Sequence, residues 1–184
     1  HKTDYMHSLL PLWMLRKKYY NISPQDKLCY FYTILENGGA EPPYVYQKNM
    51  LGFSKCGLQE ERLLDIYQKM LDFQPKCLLL QPSLAELLLE VAQTHNLPRI
   101  ETLEYIEFSG ELLVPELRER VQAFFQCKIA NQYGAYEVNS IAYECPNGNL
   151  HCMNSNVSVH ELMHTGKILD RTTGFFAYLQ YISP

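Results

Sequence analysis

Between residues 60 and 130 the chain repeats one arrangement: a stretch of helical period, then a short apolar run. Leu63, Leu64, Ile66, Tyr67, Met70 and Leu71 precede Pro75 and the run Cys77 to Leu80. Leu84, Leu87, Leu88, Val91 and Ala92 precede the run Leu103 to Phe108. Pro115, Leu117, Val121, Phe124 and Phe125 precede the run Cys127 to Ala130. Apolar side chains spaced three and four apart mark one face of a helix, and unbroken apolar runs of this length mark strands buried on both faces. Strands alternating with helices predict an α/β fold, mainly a parallel sheet with helices on both faces.

The flanking segments extend this plan. Met6, Leu9, Leu10, Trp13 and Met14 predict a helix over residues 3 to 19, and Arg16-Lys17-Lys18 near its end reads as a solvated cluster suited to the helix dipole. Leu28 to Leu35 predicts another buried strand, ended by Asn37-Gly38-Gly39 and followed by a loop at Pro42-Pro43. Ser83 and Glu86 carry the spacing of a capping box. After residue 137 short alternating or aromatic runs, at 141–144, 150–153, 157–159 and 175–179, predict a short antiparallel β tail. The organisation expected is therefore an α/β unit over residues 1–137 and a β-rich extension over 138–184.

At 184 residues, 47% of them hydrophobic, the chain is long enough for one sizeable core. A net charge of -4 offers no general attraction for nucleic acid or an anionic membrane, and neither partner is expected. No apolar stretch is long enough to span a bilayer. Cys29, Cys77 and Cys127 fall in or beside apolar runs, as small core residues do, and a reduced cytoplasmic setting is expected.

Two polar exits follow the predicted strands: Ser109-Gly110-Glu111, and Asn131-Gln132-Tyr133-Gly134-Ala135-Tyr136-Glu137. Ligands of open parallel sheets bind where strands end at their carboxyl edge, and strands joined by one crossover helix are usually neighbours, so both exits should open on one crevice. Tyr133 offers a ring for stacking, Gly134 permits close approach to the backbone, and Glu137 can hold a cation. Two other patterns carry metal chemistry. His160-Glu161-Leu162-Met163-His164 matches the zinc-peptidase pattern, which requires a helix to place both imidazoles on one face. Cys145, His151 and Cys152 offer soft donors for a zinc ion, against the plain reading of a hairpin with a buried cysteine.

The stretch Ile106 to Glu111, then Arg118, Phe124-Phe125, Asn131 to Glu137, Ile141 to Cys145 and Leu150-His151 resembles the adenylate-forming superfamily. It is most similar to the branch of phenylacetate–coenzyme A ligases and capsule-biosynthesis (CapK-like) proteins. The resemblance is clearest from about residue 103 onward. It implies that Ser109, Gly110 and Glu111 line an adenine pocket, that Tyr133 packs on the adenine, and that Glu137 helps bind magnesium. Asn131, Gly134 and Tyr136 would complete the nucleotide turn. ATP and a small carboxylic acid would then give an acyl-adenylate, with coenzyme A or another thiol as acceptor. The same branch often carries a cysteine and a histidine at the spacing of Cys145 and His151.

Tyr136 stands where that family usually has threonine or serine. No Ser/Thr/Gly-rich phosphate loop occurs, and the small C-terminal domain with its catalytic lysine has no counterpart. The resemblance therefore implies a portion of the N-terminal domain of such a ligase, inactive without the remainder of the parent enzyme. A non-catalytic α/β binding module is the competing expectation from a different class.

Overall fold

The computed structural model describes residues 2–33, 42–135, 139–154, 157–161 and 177–181. Helix α1 (Lys2–Leu15) runs into a π-helical turn, Arg16–Tyr20, closed by Asn21 in the left-handed conformation. There follow β1 (Leu28–Tyr32), β2 (Tyr44–Gln47), β3 (Met50–Ser54), α2 (Glu60–Phe73), β4 (Cys77–Leu80) and α3 (Pro82–Thr94). The chain continues through β5 (Tyr105–Ser109), α4 (Pro115–Phe125), β6 (Lys128–Ala135), β7 (Asn139–Glu144) and β8 (Leu150–Cys152). Strands β9 (Val157–Glu161) and β10 (Ala177–Tyr181) form a separate antiparallel pair.

The main sheet has the order β2-β3-β1-β4-β5-β6-β7-β8. Its centre, from β3 to β6, is parallel, and β2, β7 and β8 add antiparallel strands at the two sides. From β3 onward each crossover moves in the same direction across the sheet. Right-handed crossovers must then place α2, α3 and α4 on one face. Those helices bury Leu63, Ile66, Tyr67, Met70, Leu84, Leu88, Leu117, Val121 and Phe125 against Cys29, Leu51, Phe53, Leu78, Ile106, Phe108 and Ile129. A second cluster on the opposite face joins Leu12, Tyr20 and Ile22 to Leu28, Cys77, Tyr105, Ala130 and Tyr143. The α/β reading with an antiparallel tail is thus the observed fold.

Several expectations shift. Residues 44 to 54, to which the sequence analysis assigns no element, form a hairpin. Its two-residue turn uses Lys48 at φ 53°, not the Asn-Gly pair that usually marks such turns. Leu10 and Met14, expected on the inward face of α1, are exposed, whereas Leu12 is buried. Cys29, Cys77 and Cys127 are buried, as expected.

Candidate functional site

Strands β5 and β6 are parallel neighbours, with Phe108 opposite Asn131 and Ser109 opposite Gln132. The two polar exits therefore leave the same carboxyl edge side by side. Gly110 turns the chain at φ +83°, against the side chain of Gln81. Glu111 then folds back onto helix α3, where its carboxylate accepts the Ser83 backbone N–H at 3.0 Å and the Ser83 hydroxyl at 2.9 Å. It does for the helix N-terminus what Glu86 was expected to do. Glu86 lies a turn further on and pairs with Arg120 instead. The capping box fails because the helix starts at Pro82, with Gln81 preceding it, so Ser83 is already inside the first turn.

Asn131 to Ala135 does not turn. These residues continue β6, which pairs with β7 through a register shift at Tyr133/Gly134. Such a bulge re-aims the side chains beside it. The Tyr133 ring is 58% exposed. Gly134 is required by close approach: a Cβ there would collide with the Asn139 carbonyl. The middle of the strand is held by Glu144, a buried carboxylate that accepts the Asn131 backbone N–H at 2.6 Å and a bond from Arg118. Tyr136 and Glu137 lie outside the described residues.

Beside this edge, the face of the sheet carrying α1 holds a groove of about 700 Å³. That is within the usual size range of small-molecule sites. Leu28, Tyr30, Met50 and Leu79 line its floor, with Leu9, Leu12, Trp13 and Arg16 along α1 and the π turn. Gly52 lets the Tyr30 ring lie flat across β3, since a Cβ would come within 2.6 Å of it. Ser109, Gly110, Gln132, Gln81 and Lys55 line the groove toward the carboxyl edge. The chain leaves β1 toward β3 but leaves β4 toward β5, so the groove's mouth includes the point where the connections diverge. Sequence reasoning missed Lys55, because β3 and its place beside β1 were not predicted, and missed Gln81, which follows a predicted strand but carries no Gly or carboxylate to mark the exit.

Beneath α1 lies a buried polar cluster that the sequence reading did not anticipate. Arg16 is 5% exposed, not solvated as expected, and donates to Glu107 through Nε at 2.8 Å and Nη2 at 2.5 Å. The hydroxyls of Tyr105 and Tyr143 lie 2.7 and 3.1 Å from the same carboxylate oxygen and against each other, so their two protons serve three contacts, and at any moment one hydroxyl donates to Glu107 while the other donates either to Glu107 or to its neighbour. Burial alone would raise the Glu107 carboxyl, but Arg16 and the two hydroxyls hold it below the usual carboxylate range. Nearby, two side-chain atoms of β7, Asn139 Nδ2 and Ser140 Oγ, are buried without a hydrogen-bond partner among the described residues; Asn139 also lines the groove.

Of the metal candidates, His160 and Glu161 lie in β9, with His160 opposite Tyr178 of β10. A strand sends successive side chains to opposite faces, so the helical spacing that the peptidase pattern needs is absent and that reading is overturned. His164 lies outside the described residues. Cys145 opens the β7–β8 turn, closed by its N–H to the Asn149 carbonyl at 2.9 Å. Burial would raise its thiol, yet backbone amides of Asn149 and Asn147 and the His151 ring outweigh this and hold it below the ordinary value. Cys145 and His151 therefore meet. Cys152 is exposed on the following residue, and among the described residues no three His, Cys, Asp or Glu side chains converge to hold a metal.

No family model matches the chain, and no curated protein is similar to it in sequence. Its backbone is similar to solved ligases. A 2-hydroxyisobutyryl-CoA ligase in complex with 2-HIB-AMP and CoA matches with a TM-score of 0.65 at 17% identity, over 87% of this chain and 38% of that one. A benzoate CoA ligase from Burkholderia xenovorans matches with a TM-score of 0.59 at 14% identity, over 89% and 35%. A long-chain-fatty-acid-CoA ligase from Archaeoglobus fulgidus matches with a TM-score of 0.60 at 8% identity, over 89% and 34%. The chain thus spans about a third to two-fifths of these proteins, and at such identities the likeness is one of fold. No described helix is long and apolar enough to cross a membrane.

Proposed function

We propose that this chain carries the nucleotide edge of an AMP-forming acid–thiol ligase. The observation that carries the proposal is the pairing of Ser109 with Gln132, which sets both polar exits on one carboxyl edge beside a groove large enough for a small acid. In this reading Ser109 and Gly110 frame the adenine and Tyr133 stacks on it, its ring free to do so. Glu111 supports the frame from behind through Ser83, and Glu144 holds Asn131 in the middle of β6. Glu137 would bind the magnesium that offsets phosphate charge when a carboxylate attacks the α-phosphate. The acyl-adenylate would pass to a thiol such as coenzyme A, in a cytoplasmic enzyme of the phenylacetate–CoA ligase or CapK-like branch. The chain alone would bind nucleotide without completing this chemistry.

Calorimetric titration of the chain with AMP, and with ATP and magnesium, tests the proposal. Removing one base-stacking ring costs about 1–3 kcal/mol, so Tyr133→Ala should weaken both nucleotides by roughly 5- to 150-fold. Glu137→Ala should abolish the magnesium dependence and leave AMP affinity unchanged. Wild-type affinity that is indifferent to Tyr133 would favour the non-catalytic binding module.

A further inference from the structure

The strand register sorts the groove into levels. Tyr32 pairs with Ser54, and Tyr30 with Leu79, so Gln81 comes level with Tyr32. Leu80 pairs with Phe108, so Ser109 stands level with Gln81, and it pairs in turn with Gln132. These five residues form one polar row along the carboxyl edge. Side chains on one face of a strand are two residues apart. Below the row, on the face carrying α1, come Gly52, Tyr30 and Leu79, and below those Met50, Leu28 and Cys77. Over these three strands the groove is polar at its mouth and apolar beneath, and its length runs down the strands.

Lys55 stands at the mouth. Its backbone N–H is tied to the Tyr32 carbonyl at 3.0 Å, fixing it one residue past the row, and its ammonium has no hydrogen bond or ion pair among the described residues. Partial burial holds that ammonium below the ordinary lysine value. Glu111 acts on it from the neighbouring exit but is itself engaged by Ser83. A half-buried cation in this setting fits an anionic head. The foot of the groove differs. Asn49 donates its amide to the carbonyls of Pro24 and Asp26 at 2.9 and 2.6 Å. The Asp26 carboxylate accepts from Ser23 and Lys76. These donors are spent within the protein, so the foot holds none of them ready for a second anion.

Resting on the ligase reading, we infer that the acid activated here is a monocarboxylate with an elongated apolar tail. Lys55 holds its carboxylate at the polar row, and the tail lies down the strands beneath Leu12 and Trp13 of α1. From the row to the level of Leu28 and Met50 is about 13 Å, the length of an extended octanoate. Gly52 keeps that path open. The Tyr30 ring lies where a Cβ on residue 52 would come within 2.6 Å of it, so any larger residue lifts the ring into the groove.

Trp13 is the single tryptophan of the chain and lines the groove, so its fluorescence reports occupancy directly. Octanoate, octan-1-ol, octanedioate and butanoate are titrated against the intact chain, with AMP binding followed in parallel by calorimetry. Octanoate should bind about tenfold tighter than octan-1-ol, which lacks the charge, and about tenfold tighter than octanedioate, whose second carboxylate lies unpaired at the foot. Butanoate, too short to reach Leu28, should bind roughly 10- to 100-fold more weakly than octanoate. Lys55→Met should erase the preference for octanoate over octan-1-ol, and Lys55→Arg should restore most of it, with AMP affinity the same in all three proteins. Gly52→Ala should weaken octanoate and spare butanoate and AMP. Equal binding of octanoate and octan-1-ol to wild type overturns the inference, as does a preference for octanedioate. So does a Lys55→Met variant that loses AMP affinity and keeps the octanoate preference, since Lys55 would then meet the nucleotide phosphate. Absence of AMP binding, with the octanoate preference present and lost in Lys55→Met, would sink the ligase reading and leave the acid site standing.

Discussion

Arg16 and Glu107 lie 91 residues apart and meet in a two-point ion pair beneath the first helix, with side chains 6% and 3% exposed. The pair pins the π turn to β5, and the turn in turn places Trp13 and Leu12 over the groove. Arg16 also lies 4.4 Å from the centroid of the Trp13 ring, so one guanidinium orders both the core and the groove wall.

Removing one member strands the other. Arg16→Ala is expected to destabilise the chain by about 3–5 kcal/mol, the usual cost of leaving a buried charge unpaired. The double variant Arg16→Met, Glu107→Leu should recover most of that loss. Urea unfolding of the two single variants and the double variant measures the coupling.

Stability is expected to fall at both extremes of pH, for opposite reasons. Glu107 is held below the usual carboxylate range, so its contribution is complete above the unfolded value of about 4.3 and is lost as pH falls through the folded value. Tyr105 and Tyr143 are raised, chiefly by burial and then by the charge of Glu107. Their contribution is complete below the unfolded tyrosine value of about 10 and is lost as pH rises through the folded value. Urea midpoints followed across this range should show a flatter acid limb in Glu107→Gln and a shallower alkaline limb in Tyr143→Phe.

Glu144 should govern the ordering of the candidate nucleotide strand. Its carboxylate takes the Asn131 amide and Arg118 together, and truncation leaves both without that partner. Glu144→Ala should cost about 2–4 kcal/mol and speed exchange of the Asn131 amide more than that of Ile129, measured by hydrogen exchange. Uniform acceleration along β6 would mean that the carboxylate merely supports the fold.

Gly134 and Gly57 should separate two reasons for glycine. At Gly134 the obstacle is steric, since an added Cβ meets the Asn139 carbonyl, and Gly134→Ala should cost about 1–3 kcal/mol through displacement of β7. At Gly57 nothing lies within 4 Å, but φ is +62°, so Gly57→Ala should cost about 1–2 kcal/mol from backbone strain alone. Denaturation midpoints compare the two, and only the first should alter the amide spectra of β7.

The alternation of helix and strand was legible because each element's burial imprints its own period on the sequence. Leu63, Ile66 and Met70 repeat at the pitch of a helix, and Cys77 to Leu80 is apolar throughout because its strand is covered on both faces. The neighbouring exits at Ser109 and Gln132 followed from the rule that one crossover joins adjacent strands. The hairpin at residues 44 to 54 escaped notice because Lys48 adopts a backbone conformation its residue type does not advertise. Arg16 escaped for a related reason: a basic side chain beside two lysines looks solvated until its carboxylate is found.

Local pattern alone determined the fold class, the carboxyl edge and the residues that leave it. Only tertiary structure decided which charges are spent and which are free. Arg16 and Lys55 are both cations lining the same groove, yet Arg16 meets Glu107 while Lys55 has no hydrogen bond or ion pair among the described residues. That difference depends on strand order across the sheet, which brings residues 16 and 107 together and leaves Lys55 just past the end of β3, on the carboxyl edge. Periodicity reports what an element faces; it carries no record of which distant side chain waits there.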